Sequence, residues 1–419
     1  MKTETVPLDR ATASRRVAWV TFIGGLGGGL VFPILPALGL QLGIAGAMIG
    51  FILSANRITR LAFAPWAGRL VDRLGGKAPL SAGLFIECLG ILGYEAALLF
   101  GHAAWWFLGG RAIFGIGSAL LLVGAQATVL GFSEASDRGR HTASVRIAMS
   151  MGLPGGLVLG GLIADRLSDG AAFLTGAGLT ALGAVVALWL VPGISSRVTP
   201  PSHSGETAPR PSFRELLRLP EFPFLAAAWG FNMLVFLSVQ GVLLATLVLL
   251  VERQGFHLLG LAGEGTAGLV MAAMMASSSA LAFLIGRALD RIDRRTVLLL
   301  PSIAGLAAGF VLLGLAHSLT MTLAGAVLAG ISFNGITLPL LALLGDITRP
   351  ERYGRAVATY QIFGDIGGSL GPILGLEAGL HFGLTVTYLA VAGLLALSVP
   401  PALWVLRHET AFRRTDQLQ

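Results

Sequence analysis

The stretch GRLVDRLGGK, residues 68–77, decides how this chain is read. An apolar segment runs into it over about 44–66 and another leaves it over 79–100, so four charged residues sit in a ten-residue hyphen. A near copy, GRALDRIDRR at 286–295, returns 218 positions later, again between apolar runs. Charged hyphens between long apolar segments are what a chain needs when it leaves a membrane and re-enters it.

Composition points the same way. The 419 residues are 54% hydrophobic and only 12% charged, against about 25% charged in a soluble domain. That is too little charge to cover a soluble surface of this size. A helix needs about 20 mostly apolar residues to cross the hydrocarbon core. Twelve such runs occur, near 17–38, 45–66, 79–99, 104–130, 141–163, 171–192, 223–251, 263–286, 296–316, 319–343, 355–377 and 381–406. They are too long and too uniformly apolar for barrel strands. The first lacks a small-residue cleavage site and has spanning length, so it reads as a helix, not a leader.

Orientation follows from the basic residues. Of the 29 Lys and Arg, all but Arg57, Arg60, Arg111, Arg166 and Arg253 fall in the terminal segments and alternate loops of one side. Both termini are therefore expected in the cytoplasm of a bacterial inner-membrane protein. The net charge of +7 records this bias and not an affinity for nucleic acid. The longest interruption, 193–222, is rich in Pro, Ser and Arg and reads as a cytoplasmic linker. Within it, Phe213, Leu216 and Leu217 share a face that suits either a short interfacial helix or a simple tether.

The two halves repeat. Besides the opening stretch and its copy, Asp137–Arg140 is echoed by Glu351–Arg355, with Gly139 and Gly354 offset by 215. Two landmarks at nearly one offset indicate duplication of a six-helix unit. The expected fold is an all-α membrane protein of twelve helices in two pseudo-symmetric six-helix bundles, 1–192 and 223–419, rocking about a central cavity.

The opening stretch resembles the signature of the major facilitator superfamily, Gly-x-x-x-Asp-Arg-x-Gly-x-Lys/Arg between helices 2 and 3. Gly68, Asp72, Arg73, Gly75 and Lys77 stand at its positions. The second copy keeps Gly286, Asp290, Arg291 and Arg295, with Asp293 in place of the second Gly. A family motif of helix 4, Arg-x-x-x-Gly-x-Gly, is met by Arg111, Gly115 and Gly117. The Gly-Pro-x-x-Gly run of proton-exchanging exporters is met in part in helix 5 by Gly156, Gly160 and Gly161, with Leu157 in the Pro position and Pro154 three earlier. Its helix 11 counterpart is complete in Gly367, Gly371, Pro372 and Gly375.

The resemblance implies that the first loop latches the two halves in the outward-open state, Asp72 meeting the start of helix 11 near Arg355. Gly68 is expected to let helix ends approach closely, and Gly75 to support a tight turn. Lone topology anchors would explain the Arg and Lys but not the Asp and Gly spacing.

Charges inside spans are the functional candidates, since each costs about 2.5–3.5 kcal/mol at a helix centre. Arg57 and Arg60 lie one turn apart in helix 2 beside Asn56, and Asp365 lies mid-way along helix 11. Arg57 is 11 residues before Gly68 and Asp365 is 11 after Gly354. The matched depths predict an ion pair of Asp365 with Arg57 or Arg60, made in one state and broken by protonation in the other, against a permanent structural pair. Glu87 in helix 3 is a proton site, a partner for Arg111, or a buried neutral hydrogen-bonded acid. The resemblance links Arg111 to proton handling. Glu95 is expected to snorkel, and Asp346 to cap helix 10.

Helices 1, 4, 7 and 10 line the cavity in the family. On them stand Gln126, Trp229, Asn232, Phe236, Gln240, Phe333 and Asn334, the four of helix 7 sharing one face at α-helical spacing. Aromatics with amides suit a neutral or amphipathic organic molecule, although such a stripe is also ordinary packing.

Other chemistries find little support. GGLGGG at 24–29 has Leu30 where a dinucleotide fingerprint needs Gly, and suits close helix packing. No Gly-x-x-x-x-Gly-Lys-Ser/Thr occurs, so energy must come from a gradient or a partner. The sole Cys88 excludes an internal disulfide, and the seven His show no paired ligand spacing. No cofactor, metal or enzyme chemistry is expected. The reading is a monomeric, proton-coupled exporter of small organic compounds resembling multidrug antiporters. An uptake symporter for a metabolite, a lipid flippase and a gradient-insensitive sensor on the same scaffold are the alternatives.

Overall fold

The computed structural model describes residues 10–134, 138–192, 221–289, 294–348 and 350–416. The linker proper, the second-copy residues Asp290 and Arg291, and the Arg355 side chain lie outside the described part.

Twelve long helical runs follow one another. They are α1 Arg10–Gln41, α2 Gly46–Leu74, α3 Lys77–Leu99, α4 Ala103–Phe132, α5 Arg138–Arg166 and α6 Asp169–Leu190. After the linker come α7 Phe222–Gln254, α8 Gly263–Leu289, α9 Arg295–Gly314, α10 Leu319–Ile347, α11 Pro350–His381 and α12 Leu384–Glu409. Ten contain a stretch long and apolar enough to cross a membrane. The two that do not are α2 and α11, of 29 and 32 residues, which carry Arg57, Arg60 and Asp365. Among the described residues, three of the in-span charges of the sequence, Arg57, Arg60 and Asp365, therefore sit on the two least lipophilic helices, while Glu87 and Arg111 sit in α3 and α4.

Local breaks have local causes. In α1 the helix gives way to a turn at 31–34 around Pro33, then resumes at Leu35 with Pro36 in its first turn, as expected of residues that lack an N–H and crowd the preceding turn. Gly75 ends α2 with φ +76°, its N–H donating to the Val71 carbonyl at 2.8 Å. The tight turn assigned to Gly75 is thus present.

Two compact units arise. One takes in residues 10–44, 55–192 and 264–269, the other 45–54, 221–263 and 270–416. The start of α2 is thereby part of the second unit and the start of α8 part of the first.

Glycine sets the spacing inside each unit. Lipid is as apolar as leucine, so helices associate there by close packing, which small residues permit. In the first unit α1 lies on α5: a methyl group on Gly25 would meet the Met149 carbonyl at 2.6 Å, and Gly29, Gly152, Gly156 and Gly160 are equally pressed against facing backbone. The run at 24–29 is therefore a packing surface, as expected. The second unit repeats this with α7 on α11, where Gly241 faces Gly371 and added methyls would lie 2.5 Å from backbone. Gly367 and Gly375 continue the same seam. Likewise α3 crosses α4 at Gly90 and Gly110, and α9 crosses α10 at Gly309 and Gly325. The duplication read from the sequence is thus visible as two matched pairs of glycine crossings.

Three expectations change. A methyl on Gly68 meets open space, whereas one on Gly76 would lie 2.6 Å from the Gly124 carbonyl. Among the described residues, the close approach at the opening stretch belongs to Gly76, because Gly76 and not Gly68 faces α4. Asp346 does more than end α10; its Oδ2 accepts from Arg295 Nε of α9 at 3.2 Å. And α7 changes to a π-helix over Phe236–Leu243. Gln240 thus stands in a π-helical rather than an α-helical segment.

A capping contact closes the second unit. Glu409 is 1% exposed. Its Oε1 accepts from Arg295 N at 3.0 Å, and its Oε2 from Thr296 N at 3.2 Å and Thr296 Oγ1 at 2.6 Å. One carboxylate thus satisfies the orphan donors where α9 begins. Hydrogen bonds to a charged group contribute about 1.5–3 kcal/mol. Glu409→Ala should lower the unfolding free energy by about that amount, read as a reduced melting temperature of the purified protein.

Candidate functional site

Two buried ionisable side chains of the first unit, Glu87 and Arg111, lie on α3 and α4 beside α1. Glu87 is 1% exposed and Arg111 likewise. The Glu87 Oε2 is buried with no hydrogen-bond partner among the described residues. It lies beside α1, 3.3 Å from where a Gly24 methyl would stand, with Leu84 and Leu121 closing the same spot. From α4, Gly117 packs on the Glu87 backbone and Cγ. Two turns along α3, Tyr94 stands within electrostatic reach of both Glu87 and Arg111, packed on Phe107 and Phe173. The Arg111 guanidinium lies 5.4 Å from the centre of the Phe32 ring, a cation–π contact of the kind favoured away from water. The helix 4 motif is thus an arginine packed under α1, with Gly115 pressed against Asn56 and Thr59 of α2. Of the two structural readings of Glu87, the hydrogen-bonded one does not describe Oε2. Glu95 does not snorkel freely either: its half-buried carboxylate rests beside Gly170, in the first turn of α6.

In the second unit the aromatic and amide candidates divide. Phe236 of α7 and Phe333 of α10 meet with ring centres 5.1 Å apart. Trp229 stacks on Phe363 of α11 at 5.5 Å, 15° from parallel. Asn232 is fully buried, and its Nδ2 donates to the Tyr360 carbonyl at 2.6 Å, while Tyr360 Oη donates to the Thr337 carbonyl of α10 at 3.0 Å. Asn334 Nδ2 donates to both the carbonyl and Oγ of Ser278 on α8, at 2.7 and 2.8 Å. The two asparagines thus spend their amide N–H groups on neighbouring helices. Gln240 is half-buried within the π segment, and Gln126 half-buried on α4 in the first unit.

Arg57 and Arg60 on α2 are half-buried, as is Asp365 on α11. At the opening stretch Asp72 and Arg73 are exposed at the end of α2, and half-buried Lys77 opens α3. In α5, Leu157 in the motif's Pro position is fully buried, its carbonyl against Gly268 of α8. In α11, the Pro372–Ile373 backbone receives Gly50 of α2, and Ser54 Oγ donates to the Ser369 carbonyl.

Comparison with known proteins settles the family. The model described as Major Facilitator Superfamily matches residues 17–263 and again 259–417. The chain belongs to the major facilitator superfamily. Among curated relatives, Multidrug resistance protein 2 of Bacillus subtilis (strain 168) is 23% identical over 373 residues, 88% of each chain. Quinolone resistance protein NorA of Staphylococcus aureus is 25% identical over 144 residues, 34% of this chain and 36% of that one. Among solved structures, a bacterial homolog of the human lysosomal transporter Spinster superposes with TM-score 0.73 at 14% identity, covering 95% and 97% of the two chains. The nucleoside transporter NupG gives 0.72 at 16%, covering 96% and 98%. The fold is that of the superfamily, and the protein is a membrane transporter.

Sequence reasoning missed two features of this chain. The Glu409 cap was hidden because α12 closes on α9 only in three dimensions. The π segment leaves no compositional trace beyond Gly241, whose partner Gly371 lies 130 residues away.

Proposed function

We propose that this protein exports small amphipathic organic compounds in exchange for protons, by alternating access between two halves, 1–192 and 223–419. The observation that carries it is the set of ionisable groups held inside otherwise apolar spans: Arg57 and Arg60 on α2, Asp365 on α11, and Glu87 with Arg111 in the first unit. Burying such groups is costly, and in membrane transporters they mark ion and substrate pathways. Export is favoured by the similarity to a multidrug resistance protein along 88% of both chains, and by the complete glycine–proline run in α11. Asp365 takes the coupling proton in this reading, with Arg57 and Arg60 as the countercharges expected from its depth. Asp72 with the Arg355 region forms the latch, and Phe236, Phe333 and Trp229 contribute aromatic surface to the substrate. The protein works as a monomer in the cell membrane with both termini in the cytoplasm.

Inverted membrane vesicles test the reading. A lipophilic dye should accumulate inside them when the lumen is acid, and should run out when the pH gradient is collapsed. Accumulation that ignores the gradient, or that runs only outward from inverted vesicles, would overturn it.

A further inference from the structure

The duplication supplies an internal control for the buried acid of the first unit. The crossing of α3 and α4 at Gly90 and Gly110 has its counterpart in the crossing of α9 and α10 at Gly309 and Gly325. Counting from these crossings, Glu87 lies three residues before Gly90, and its counterpart is Leu306. Tyr94 corresponds to Leu313, and Arg111 to Ala326. All three counterparts are 0% exposed and apolar. The second unit thus places no ionisable group at these three positions of the same crossing. An acid, a phenol and a guanidinium in the first unit therefore cost stability that the fold does not require, which marks them as functional.

What faces Glu87 is limited. On its own helix stand Cys88 and Tyr94, and on α4 Arg111. The apolar run of α1 holds no acid or base and presents Gly24. The body of α6 beyond Asp169 also holds none, and offers the Thr180 hydroxyl to Cys88. No donor among the described residues reaches Oε2, and the Arg111 guanidinium lies over the Phe32 face. A carboxylate so placed would carry a bare charge in hydrocarbon; a carboxylic acid would not.

We propose that Glu87 is a proton-binding site within the first unit, protonated in the arrangement described here and occluded by Gly24, Leu84 and Leu121. One proton adds to the carboxylate and leaves it as the acid exchanges with water; nothing else is consumed. Because α1 presents Gly24, which has no side chain, to this spot, a displacement of α1 relative to α3 opens the acid. The site deepens the proton-coupled reading above, resting on it only for the role of the proton in transport.

Infrared difference spectra of the purified protein between acid and alkaline pH test the assignment directly. A protonated carboxyl band of an apolar setting is expected in the wild type, absent in Glu87→Gln and retained in Asp365→Asn. Gln is close in shape to the neutral acid, so Glu87→Gln should keep its melting temperature. Glu87→Asp, which keeps a carboxyl on a shorter arm, should shift the band and covers the case in which the Gln variant fails to fold. A band indifferent to both substitutions overturns the assignment. The same samples in vesicles separate the two claims. A band that depends on Glu87 without pH-driven transport upholds the site and defeats the coupled reading; pH-driven transport with no Glu87 band does the reverse.

Discussion

Asp365→Asn should reduce pH-driven accumulation to the level of vesicles lacking the protein, while equilibrium exchange of labelled for unlabelled substrate continues. Asp365 is a half-buried acid on α11, one of the two long helices without a fully apolar spanning stretch. Asn matches the carboxyl in size and is permanently neutral, so it imitates one protonation state and removes the other. A transporter whose coupling acid is fixed in one state still shuttles substrate, because exchange needs no net proton movement. It loses the link between gradient and direction, since a ligand shifts a two-state equilibrium only by its differential affinity for the states. Charge-removing variants of Arg57 and Arg60 should likewise weaken coupling while exchange continues, because an acid without its countercharge favours the neutral form throughout the cycle. Uphill transport undiminished in Asp365→Asn would refute this role.

The second large effect is structural. Gly156→Val should destabilise the first unit by about 3 kcal/mol or more, at the upper end of overpacking costs. A side chain there meets the Leu26 carbonyl, with the Leu26 carbonyl carbon at 2.9 Å and Gly29 Cα at 3.0 Å. Every neighbour is backbone, which has no rotamer through which to yield. Gly371→Val should act alike in the second unit, where Gly241 Cα and the Leu237 carbonyl each lie 2.5 Å from the added carbon. Gly68→Ala is the matched control, because its methyl enters open space. Folded yield and thermal melting of the three variants measure the difference. A wild-type melting curve for Gly156→Val would show that α1 and α5 do not pack as described.

Much of this was legible because its causes are local or periodic. Apolar runs of spanning length, the charged hyphens between them and the offset copies of GRLVDR gave the helices and the repeat. The glycines of 24–29 announced close packing for want of any other use inside a span. What escaped depended on which faces meet. Gly68 and Gly76 flank one turn, and only the azimuth of α2 against α3 and α4 tells which is pressed on a neighbour. Asn232 and Asn334 looked like ligand contacts by type and spacing, yet their N–H groups answer carbonyls 128 and 56 residues away. Glu87 was visible as a buried acid, but its bare Oε2 beside Gly24 was not, since a glycine in α1 gives no hint of what it shelters.

The uneven lipophilicity of the helices also bears on how the chain is made. Two arginines at the centre of α2 set an insertion cost of about 5–7 kcal/mol on scales that assign about 2.5–3.5 to each. Helices α2 and α11 are therefore poor candidates to leave the translocon alone. Each is expected to leave the lateral gate together with a greasier neighbour, as a hairpin.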